Sequence, residues 1–264
     1  MIYLLSTEGH EALRAVASRS ILYAFDFDGT LAPISPDRGA VNIPRPTAEW
    51  LTELAKRVPC AVVSGRALAD LTPRINGAVP YVIGNHGLES PLTSPDVFSL
   101  AEHACLTWMK RVATDLAQPL KVAGVEVENK RYSLTFHYRG ADDPFGIRRV
   151  LLQFCMQLTP TPRCIFGKAS VNVLPPGGTG KGEATLALMN HLRCAGLFFA
   201  GDDETDEDVF GLSEELMMGV RVGHHAESRA QYYLRDPAEM EEVIRFLIGR
   251  MDGTPESSAI ERRC

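Results

Sequence analysis

The sequence predicts an α/β protein in which a doubly wound parallel sheet is interrupted by an inserted α+β unit. Short apolar runs such as Ile21–Phe25 and Cys60–Val63 alternate with amphipathic segments near both ends of the chain. This is the pattern of buried parallel strands separated by helices. Between residues 95 and 176, alternation of apolar and polar residues with a period of two replaces that pattern. Such alternation indicates antiparallel strands with one buried face.

Composition narrows the class of protein further. The chain has 264 residues, 45% of them hydrophobic and 23% charged, and a formal net charge of −6. This is ordinary globular composition, which excludes disorder for most of the chain, and the mild acidity argues against a nucleic-acid partner. Without a leader-like segment or an apolar run of membrane-spanning length, we expect a cytoplasmic protein with no membrane partner, compatible with a monomer. The 6 cysteines form no CxxC pair, so we expect mostly buried thiols and no zinc site.

The first block, residues 1–94, is predicted to alternate helices and strands. Each predicted strand is a short apolar run that ends abruptly at polar or glycine residues, as strands do when they feed a loop at a sheet edge. Apolar residues within the second helix recur at helical spacing, and Pro46 lies near its start. The predicted helices cover residues 7–18, 46–57 and 67–75, and the predicted strands cover 21–25, 60–63 and 81–83.

The inserted unit, residues 95–176, follows a cluster of helix- and strand-breaking residues that includes Pro91 and Pro95. A long amphipathic helix is predicted first, with an apolar face from Val97 to Leu116. The predicted order of elements is αββαββ, with strands at 121–128 and 132–138, a helix at 142–158 and strands at 163–167 and 170–174.

Strand–helix alternation returns in residues 177–251. The predicted elements are a helix at 182–193, a strand at 197–200, a helix from about 205, a strand near 217–222 and a helix near 237–250. The two outer blocks therefore build one parallel sheet, into which the middle unit is inserted as a second domain. The polar residues 252–264 are expected to form a flexible tail.

Acidic residues follow two of the predicted buried strands directly. Asp26 and Asp28 come after the first strand, and Asp202 comes after the strand at 197–200. Ligands of open α/β sheets bind beyond the carboxyl ends of the strands, where gathered carboxylates repel one another unless a cation or a reaction uses them. The alternatives are an Asp turn for the first pair and an acidic first helical turn for 202–208. The second alternative does not explain Asp202 at the end of an apolar strand.

Anion-binding features occur at two other junctions. Ser64 and Gly65 end a buried strand, where a hydroxyl and free backbone N–H groups suit a phosphate, with a simple N-cap as the alternative. Lys181 opens a helix after a glycine-rich loop. A nucleotide-binding P-loop would need Ser or Thr at Gly182 and Gly at Pro175. We therefore predict a phosphate-facing lysine and not an ATP-dependent kinase.

The order of these motifs, Asp-x-Asp-Gly-Thr, then Ser, then Lys, then Gly-Asp-Asp, resembles the haloacid dehalogenase-like phosphatase superfamily. The resemblance implies a Rossmann-like core, a phosphoaspartate mechanism and a role for the inserted unit as a cap over the site. Finer motifs are similar to those of trehalose-6-phosphate phosphatases. They are Leu31-Ala32-Pro33-Ile34, Gly84-Asn85-His86-Gly87-Leu88-Glu89, Glu128-Asn129-Lys130, His137-Tyr138-Arg139 and Gly201-Asp202-Asp203-Glu204-Thr205-Asp206-Glu207.

The resemblance implies a phosphatase that uses Mg²⁺ to hydrolyse trehalose 6-phosphate to trehalose and phosphate. Asp26 is the implied nucleophile, and Asp28 is the implied general acid and base. The implied metal ligands are the Asp26 side chain, the Asp28 backbone carbonyl and Asp202, with Asp206 orienting them. The residues implied to hold the phosphoryl group are Ser64, Gly65 and Lys181.

The same resemblance assigns sugar recognition chiefly to the cap. The implied sugar-binding residues are Glu128, Lys130, Arg139 and Lys168 of the cap and Arg66 of the core. For Glu128 and Lys130, a solvated strand face with an ion pair two residues apart is the alternative.

The sequence departs from the family pattern at two positions of the last cap strand. Asn172 stands where the family has a sugar-holding Glu, and Leu174 stands where it has a basic residue. Because Asn can still donate and accept hydrogen bonds, the departure leaves the substrate open. One alternative is a related phosphatase acting on sucrose phosphate or mannosyl-phosphoglycerate, and another is a silent phosphosugar-binding module. Such modules usually lack one of the aspartates retained here.

Overall fold

The structure is a computed structural model that describes residues 1–17, 20–35, 37–167, 169–213, 215 and 217–253. Its strands are β1 (Ile2–Tyr3), β2 (Ile21–Phe25), β3 (Cys60–Val63), β4 (Tyr81–Ile83), β5 (Glu126–Asn129), β6 (Leu134–His137), β7 (Arg163–Gly167), β8 (Ser170–Leu174), β9 (Gly196–Gly201), β10 (Met217–Val222) and β11 (Tyr232–Leu234). Its α-helices are α1 (Thr7–Ala17), α2 (Arg45–Ala55), α3 (Leu68–Ile75), α4 (Pro95–Arg111), α5 (Ala117–Val122), α6 (Pro144–Cys155), α7 (Lys181–His191), α8 (Glu207–Phe210) and α9 (Met240–Met251).

A parallel sheet in the order β1-β11-β10-β9-β2-β3-β4 forms the core. Successive residues of its central strand β2 enter two different apolar clusters, since Tyr23 packs with α1, α2 and α9 whereas Leu22 packs with α7. Helices therefore cover both faces, which confirms the doubly wound core. Phe25 of β2 lies opposite Ala200 of β9, so the residues that follow these two strands emerge side by side.

The inserted unit, which we call the cap, contains an antiparallel sheet in the order β5-β6-β8-β7. Leu134 and Phe136 of β6 pack with Trp108 of α4 and Leu151 of α6 in a separate apolar cluster. Because side chains alternate along a strand, the intervening Thr135 lies on the opposite face. Opposite Thr135 are Glu128 on β5 and Asn172 on β8. The antiparallel cap sheet and its helices confirm the predicted α+β insert.

The start of the first cap strand was predicted too early. Residues 121–125 are not extended, because α4 continues through a π-helical turn at Val112–Leu116 into α5, which ends at Val122. The chain then turns at Gly124, whose φ is +67°, and β5 begins at Glu126. Leu120 and Val125 are both buried in the cap cluster, so helix and strand contribute apolar residues to the same core and sequence periodicity does not separate them.

Two short strands were not predicted: β1, at the edge of the core sheet, and β11, which lies between β1 and β10. The final helix begins at Met240, after a 3-10 turn at Pro237–Glu239. Most of the predicted flexible tail, residues 254–264, lies outside the described residues, and so does Cys264. The other cysteines are free thiols, of which only Cys164 is partly exposed. None of the helices in the described ranges is long and apolar enough to cross a membrane.

Candidate active site

Three buried carboxylates meet at the carboxyl ends of β2 and β9. Asp26 is 4% exposed, Asp202 is 5% exposed and Asp206 is 0% exposed. Each offers an oxygen that lies within 4.8 Å of the others. The ammonium of Lys181, itself 3% exposed, donates to Oδ1 of Asp26 at 2.9 Å and to Oδ1 of Asp206 at 2.8 Å. The structure thus brings together four residues that the sequence predicted to act together.

The ammonium of Lys181 pairs with two of the three buried carboxylates, Asp26 and Asp206. Burial raises the pKa of Asp26 well above its usual range; Lys181 lowers that pKa, whereas Asp206 and Asp202 raise it. Burial alone would lower the pKa of Lys181, but Asp206 and Asp26 raise it above its usual value. A hard divalent cation fits three carboxylate oxygens held this close together, since such ions take carboxylate oxygens as ligands. The donor set is therefore suited to a metal ion.

The backbone fixes the position of Asp202 and Asp206. Oδ2 of Asp206 accepts hydrogen bonds from the backbone N–H of Asp202 at 2.9 Å and of Asp203 at 3.0 Å. Gly29 adopts φ +80°, and a Cβ at this position would lie 2.3 Å from Oδ2 of Asp202. Only glycine lets the loop after β2 pass this close to Asp202. Asp206 thus orients the loop that presents Asp202.

Ser64 and Gly65 lie beside this cluster, at the end of β3. Ser64 is 1% exposed. A Cβ on Gly65 would lie 2.4 Å from Cε1 of His86, so the histidine ring packs directly on the Ser64–Gly65 turn. Neither ring nitrogen of His86 has a hydrogen-bond partner among the described residues. Burial lowers the pKa of His86 well below its usual value, so the ring is neutral.

The Asp28 side chain turns away from the carboxylate cluster and pairs with Arg66. Nε of Arg66 lies 2.7 Å from Oδ2 of Asp28, and Nη2 lies 2.7 Å from Oδ1, which makes the pair bidentate. Arg66 also donates to Oδ2 of Asp70 at 2.7 Å. Burial opposes its charge, but the bonds to Asp28 and Asp70 raise the pKa of Arg66 above its usual value. Arg66, predicted as a sugar-binding residue, contacts the predicted general acid.

The polar face of the cap sheet and the carboxyl edge of the core sheet enclose one cavity of about 430 Å³. Glu128, Lys130 and Arg139 line it from the cap. Nζ of Lys130 donates to the backbone oxygen of Gly65 at 2.8 Å. Burial raises the pKa of Glu128, but the hydrogen bond from His137 and nearby positive charges outweigh it and bring the pKa to about 2. These contacts differ from the solvated strand face given as the alternative for Glu128 and Lys130.

The two family departures occupy different environments. Asn172 lines the cavity, where its Oδ1 accepts from Oγ1 of Thr135 at 2.8 Å and its Nδ2 donates to the backbone oxygen of Ile165 at 3.3 Å. Leu174 is fully buried. The predicted sugar-binding Lys168 lies outside the described residues.

Sequence reasoning missed Arg38, Asp70 and Arg74, which also line the cavity. Arg66, Asp70 and Arg74 recur at intervals of four residues, and this spacing on a helix could have indicated linked ion pairs. Arg38 lies in an irregular loop between β2 and α2. No spacing signal exists for such a position.

Comparison with known proteins identifies the family of the chain. The family profile described as trehalose-phosphatase matches residues 24–238. The trehalose-phosphate phosphatase of Mycobacterium tuberculosis is 34% identical over 245 residues, which cover 88% of this chain and 62% of that protein. The chain thus spans about three fifths of the length of such curated relatives.

Two solved structures share the fold. The C-terminal domain of trehalose-6-phosphate phosphatase from C. albicans superimposes with a TM-score of 0.74 at 22% identity, over 91% of this chain and 96% of that one. The sucrose-phosphatase from Synechocystis, solved with sucrose and phosphate, gives a TM-score of 0.59 at 20% identity, over 86% of this chain and 98% of that one. These similarities confirm the fold, and the sequence matches confirm the family resemblance: the chain belongs to the trehalose-phosphatase family.

Proposed function

We propose that the protein hydrolyses trehalose 6-phosphate to trehalose and phosphate through a phosphoaspartate on Asp26, with Mg²⁺ as cofactor. The proposal rests on one observation: two surfaces of different chemistry, one from the core and one from the cap, line the same cavity. On the core side lie buried acids and one buried lysine, the groups that suit a phosphoryl ester. On the cap side lie charged and amide side chains, which suit the many hydroxyl groups of a disaccharide.

In the proposed first step, a carboxylate oxygen of Asp26 attacks phosphorus and the sugar oxygen leaves. Lys181 donates to Oδ1 of Asp26, which leaves Oδ2 for the attack. The Lys181 ammonium, the Ser64 hydroxyl and the Gly65 N–H stabilise charge on the phosphoryl oxygens as it develops. Because these donors are held in place before the substrate arrives, they need no reorganisation during the reaction.

In the proposed mechanism, Asp28 donates a proton to the leaving sugar oxygen. It then takes a proton from the water that hydrolyses the phosphoaspartate. Arg66 holds the Asp28 carboxylate at the mouth of the cluster through two bonds of 2.7 Å. To act as the acid, Asp28 must take up a proton from solvent and exchange one of its bonds to Arg66 for one to the sugar oxygen, so Arg66 sets its resting position.

We expect Asp28→Asn to reduce turnover of trehalose 6-phosphate by about 10²- to 10⁴-fold, the range for loss of a general acid–base. Equilibrium binding of the ester should change little, because Asn keeps the size of the side chain. With p-nitrophenyl phosphate, whose leaving group needs no proton, the variant should release one nitrophenol per enzyme rapidly and then stall. Stopped-flow absorbance measures this burst. An Asp28→Asn enzyme without a burst, or with wild-type turnover of the sugar ester, contradicts this role.

The residues that would hold Mg²⁺ are Asp26 and Asp202, with the Asp28 backbone carbonyl, and Asp206 orients them. When bound, the ion neutralises the nucleophile and the phosphoryl group, which would otherwise repel each other. Asp206 already uses Oδ1 for Lys181 and Oδ2 for two backbone N–H groups. This is why we assign it to orientation and not to direct binding.

Without substrate, we expect Mg²⁺ to raise the thermal unfolding temperature, because the ion offsets repulsion among the buried carboxylates. At about 100 times its Kd, the gain in free energy of unfolding is about 2.7 kcal/mol. Asp202→Asn should abolish this gain. Asp208→Asn, in the same acidic segment but paired with Arg163, should retain it. Differential scanning fluorimetry against Mg²⁺ concentration measures both, and equal responses of the two variants contradict the assignment.

We propose that the cap comprises residues 95–176 and closes over the sugar, with the core divided between residues 1–94 and 177–251. Support comes from the chain breaks at both junctions, since α4 begins at Pro95 and Pro175 follows β8. Glu128, Lys130 and Arg139, which line the cavity, are the proposed sugar contacts, together with Lys168. Closure would exclude water from the phosphoryl site.

A second candidate is hydrolysis of another sugar phosphate, favoured by Asn172. Its amide uses both polar atoms for Thr135 and Ile165, whereas the family Glu would add a charge. Phosphate release with Mg²⁺ from the 6-phosphates of trehalose, sucrose and glucose separates the two candidates. A large preference for trehalose 6-phosphate supports the first proposal. A preference for another ester supports the phosphatase mechanism but contradicts trehalose 6-phosphate as the substrate. No phosphate release from any of the esters contradicts both candidate functions.

A further inference from the structure

Arg38, a core residue, contacts the cap at the rim of the cavity. Its Nη2 donates to Oε2 of Glu126 at 3.0 Å, and its Nη1 donates to Oε2 of Glu128 at 3.2 Å. The same nitrogen contacts Nε2 of His137. One guanidinium from the loop after β2 thus spans two strands of the cap sheet and meets Glu128, a proposed sugar contact.

The loop that carries Arg38 is fixed to the core by two other arginines. Nη1 of Arg66 donates to the backbone oxygen of Arg38 at 3.1 Å. Nη1 of Arg74 donates to the backbone oxygens of Gly39 at 2.8 Å and Val41 at 2.6 Å. Movement of the Arg38 backbone therefore shifts an acceptor of Arg66.

Arg66 is also the bidentate partner of Asp28. An unbroken series of contacts thus runs from the reacting carboxylate of Asp28, through Arg66 and the backbone of Arg38, to Glu126 and Glu128 of the cap. Two planar bonds give the Asp28–Arg66 pair a defined geometry. A displacement of Arg66 would move Asp28 with it.

The contact between Arg38 and the cap is suited to repeated opening. The Arg38 side chain is 41% exposed, and those of Glu126 and Glu128 are 70% and 39% exposed. Ion pairs as exposed as these add little stability, because water solvates the separated charges well. Such contacts can form and break with each closure, whereas the buried Lys181 pairs cannot.

We propose that Arg38 is a positioning residue that couples seating of the cap on the sugar to placement of Asp28 at the leaving oxygen. This inference rests on the proposed function and deepens it. The Arg38 side chain holds Glu128 through Oε2. When the cap moves Arg38, the backbone oxygen of Arg38 moves too, and with it an acceptor of Arg66. Sugar esters need this coupling, since they engage the cap and need a proton from Asp28. Small aryl phosphates need neither in the first step, because they do not engage the cap and their leaving group needs no proton.

The test compares trehalose 6-phosphate with p-nitrophenyl phosphate in Arg38→Met, which keeps much of the length of the side chain without its charge. We expect kcat/KM for the sugar ester to fall about 10- to 100-fold, the range for loss of hydrogen bonds to charged groups. Part of this loss must be in kcat, whereas a residue that only binds sugar would change KM alone. The burst of nitrophenol from p-nitrophenyl phosphate, which reports the first step alone, should stay within about twofold of wild type, because that step bypasses the general acid.

A double-mutant cycle tests whether Arg38 acts through the cap. Glu126→Gln removes an exposed partner that contacts Arg38 but has no proposed role with substrate. Its effect on the sugar ester should largely disappear in the Arg38→Met background, because both changes break the same contact. Arg45→Met is the matched control, since Arg45 is exposed and pairs only within α2, with Glu49. It should leave both esters unaffected.

Several outcomes overturn the coupling. Equal losses of sugar-ester turnover and of the nitrophenol burst mean that Arg38 acts on the phosphoryl centre or on folding, and thermal unfolding of the variant distinguishes these two. An unchanged sugar-ester kcat, or additive effects of the two substitutions, also overturns it. If wild type prefers another sugar ester, the proposed substrate fails, and the same comparisons with that ester still decide the role of Arg38.

Discussion

Asp26→Asn is expected to reduce phosphate release from trehalose 6-phosphate by at least about 10⁴-fold, the scale seen when a covalent nucleophile is removed. The amide is nearly the same size as the carboxylate but is a poor nucleophile and cannot form the phosphoaspartate. Asp26 is buried in the wall of the cavity, 4% exposed and bonded to Lys181. Asp206 cannot replace it, because Asp206 is fixed by backbone N–H groups and Lys181.

A coupled assay of released phosphate with Mg²⁺ measures this effect. Asp236→Asn is the control, since Asp236 is exposed and its side chain accepts a bond from the N–H of Ala238. It should retain wild-type activity. Asp26→Asn should still melt cooperatively, which separates lost chemistry from lost folding. More than about 1% residual activity contradicts a covalent role for Asp26, because a nucleophile contributes much more than a hundredfold.

Lys181→Met is expected to lower the free energy of unfolding by about 3–5 kcal/mol, the range for breaking a buried ion pair from one side. Lys181 is 3% exposed and neutralises Asp26 and Asp206 together. Its removal leaves the buried carboxylates of Asp26 and Asp206 without this ammonium. Lys56→Met is the control, because Lys56 is exposed and pairs with Glu53 within one helix turn. It should cost less than about 1 kcal/mol.

The destabilisation by Lys181→Met should depend on pH in a known direction. Burial and the neighbouring acids already raise the pKa of Asp26 above its usual value, and loss of the ammonium raises it further. When the folded state raises the pKa of a carboxyl group, the free energy of unfolding of the protein falls as the pH rises from the unfolded pKa to the folded pKa. The difference from wild type should therefore shrink as pH falls. Urea unfolding at several pH values measures it, and a difference that grows at lower pH contradicts the charge argument.

Much of the fold and core site could be predicted, for a physical reason. Parallel strands buried on both faces leave apolar runs in the sequence, and their carboxyl ends meet at one sheet edge. Asp26, Ser64 and Asp202 each directly follow such a run. The convergence of these three residues therefore follows from strand order, whereas Lys181 reaches them from the start of α7.

The contacts between the core and the cap could not be predicted in this way. They depend on how two sheets face each other, which neither periodicity nor spacing records. The pairing of Arg66 with Asp28 and the reach of Arg38 to Glu126 are of this kind. Asn172 was recognised as a departure, but its bond to Thr135 follows only from the register of β6 against β8.

The most direct test of the central claim is rapid-quench labelling of the wild-type enzyme. Trehalose 6-phosphate carrying labelled phosphorus is mixed with enzyme and Mg²⁺, quenched in acid within the first turnover, and digested for mass spectrometry. We predict label on the peptide that contains Asp26, removed by hydroxylamine as an acyl phosphate is, and gone once the substrate is consumed. Phosphate release without label on Asp26, or with label on another residue such as His86, would contradict the mechanism.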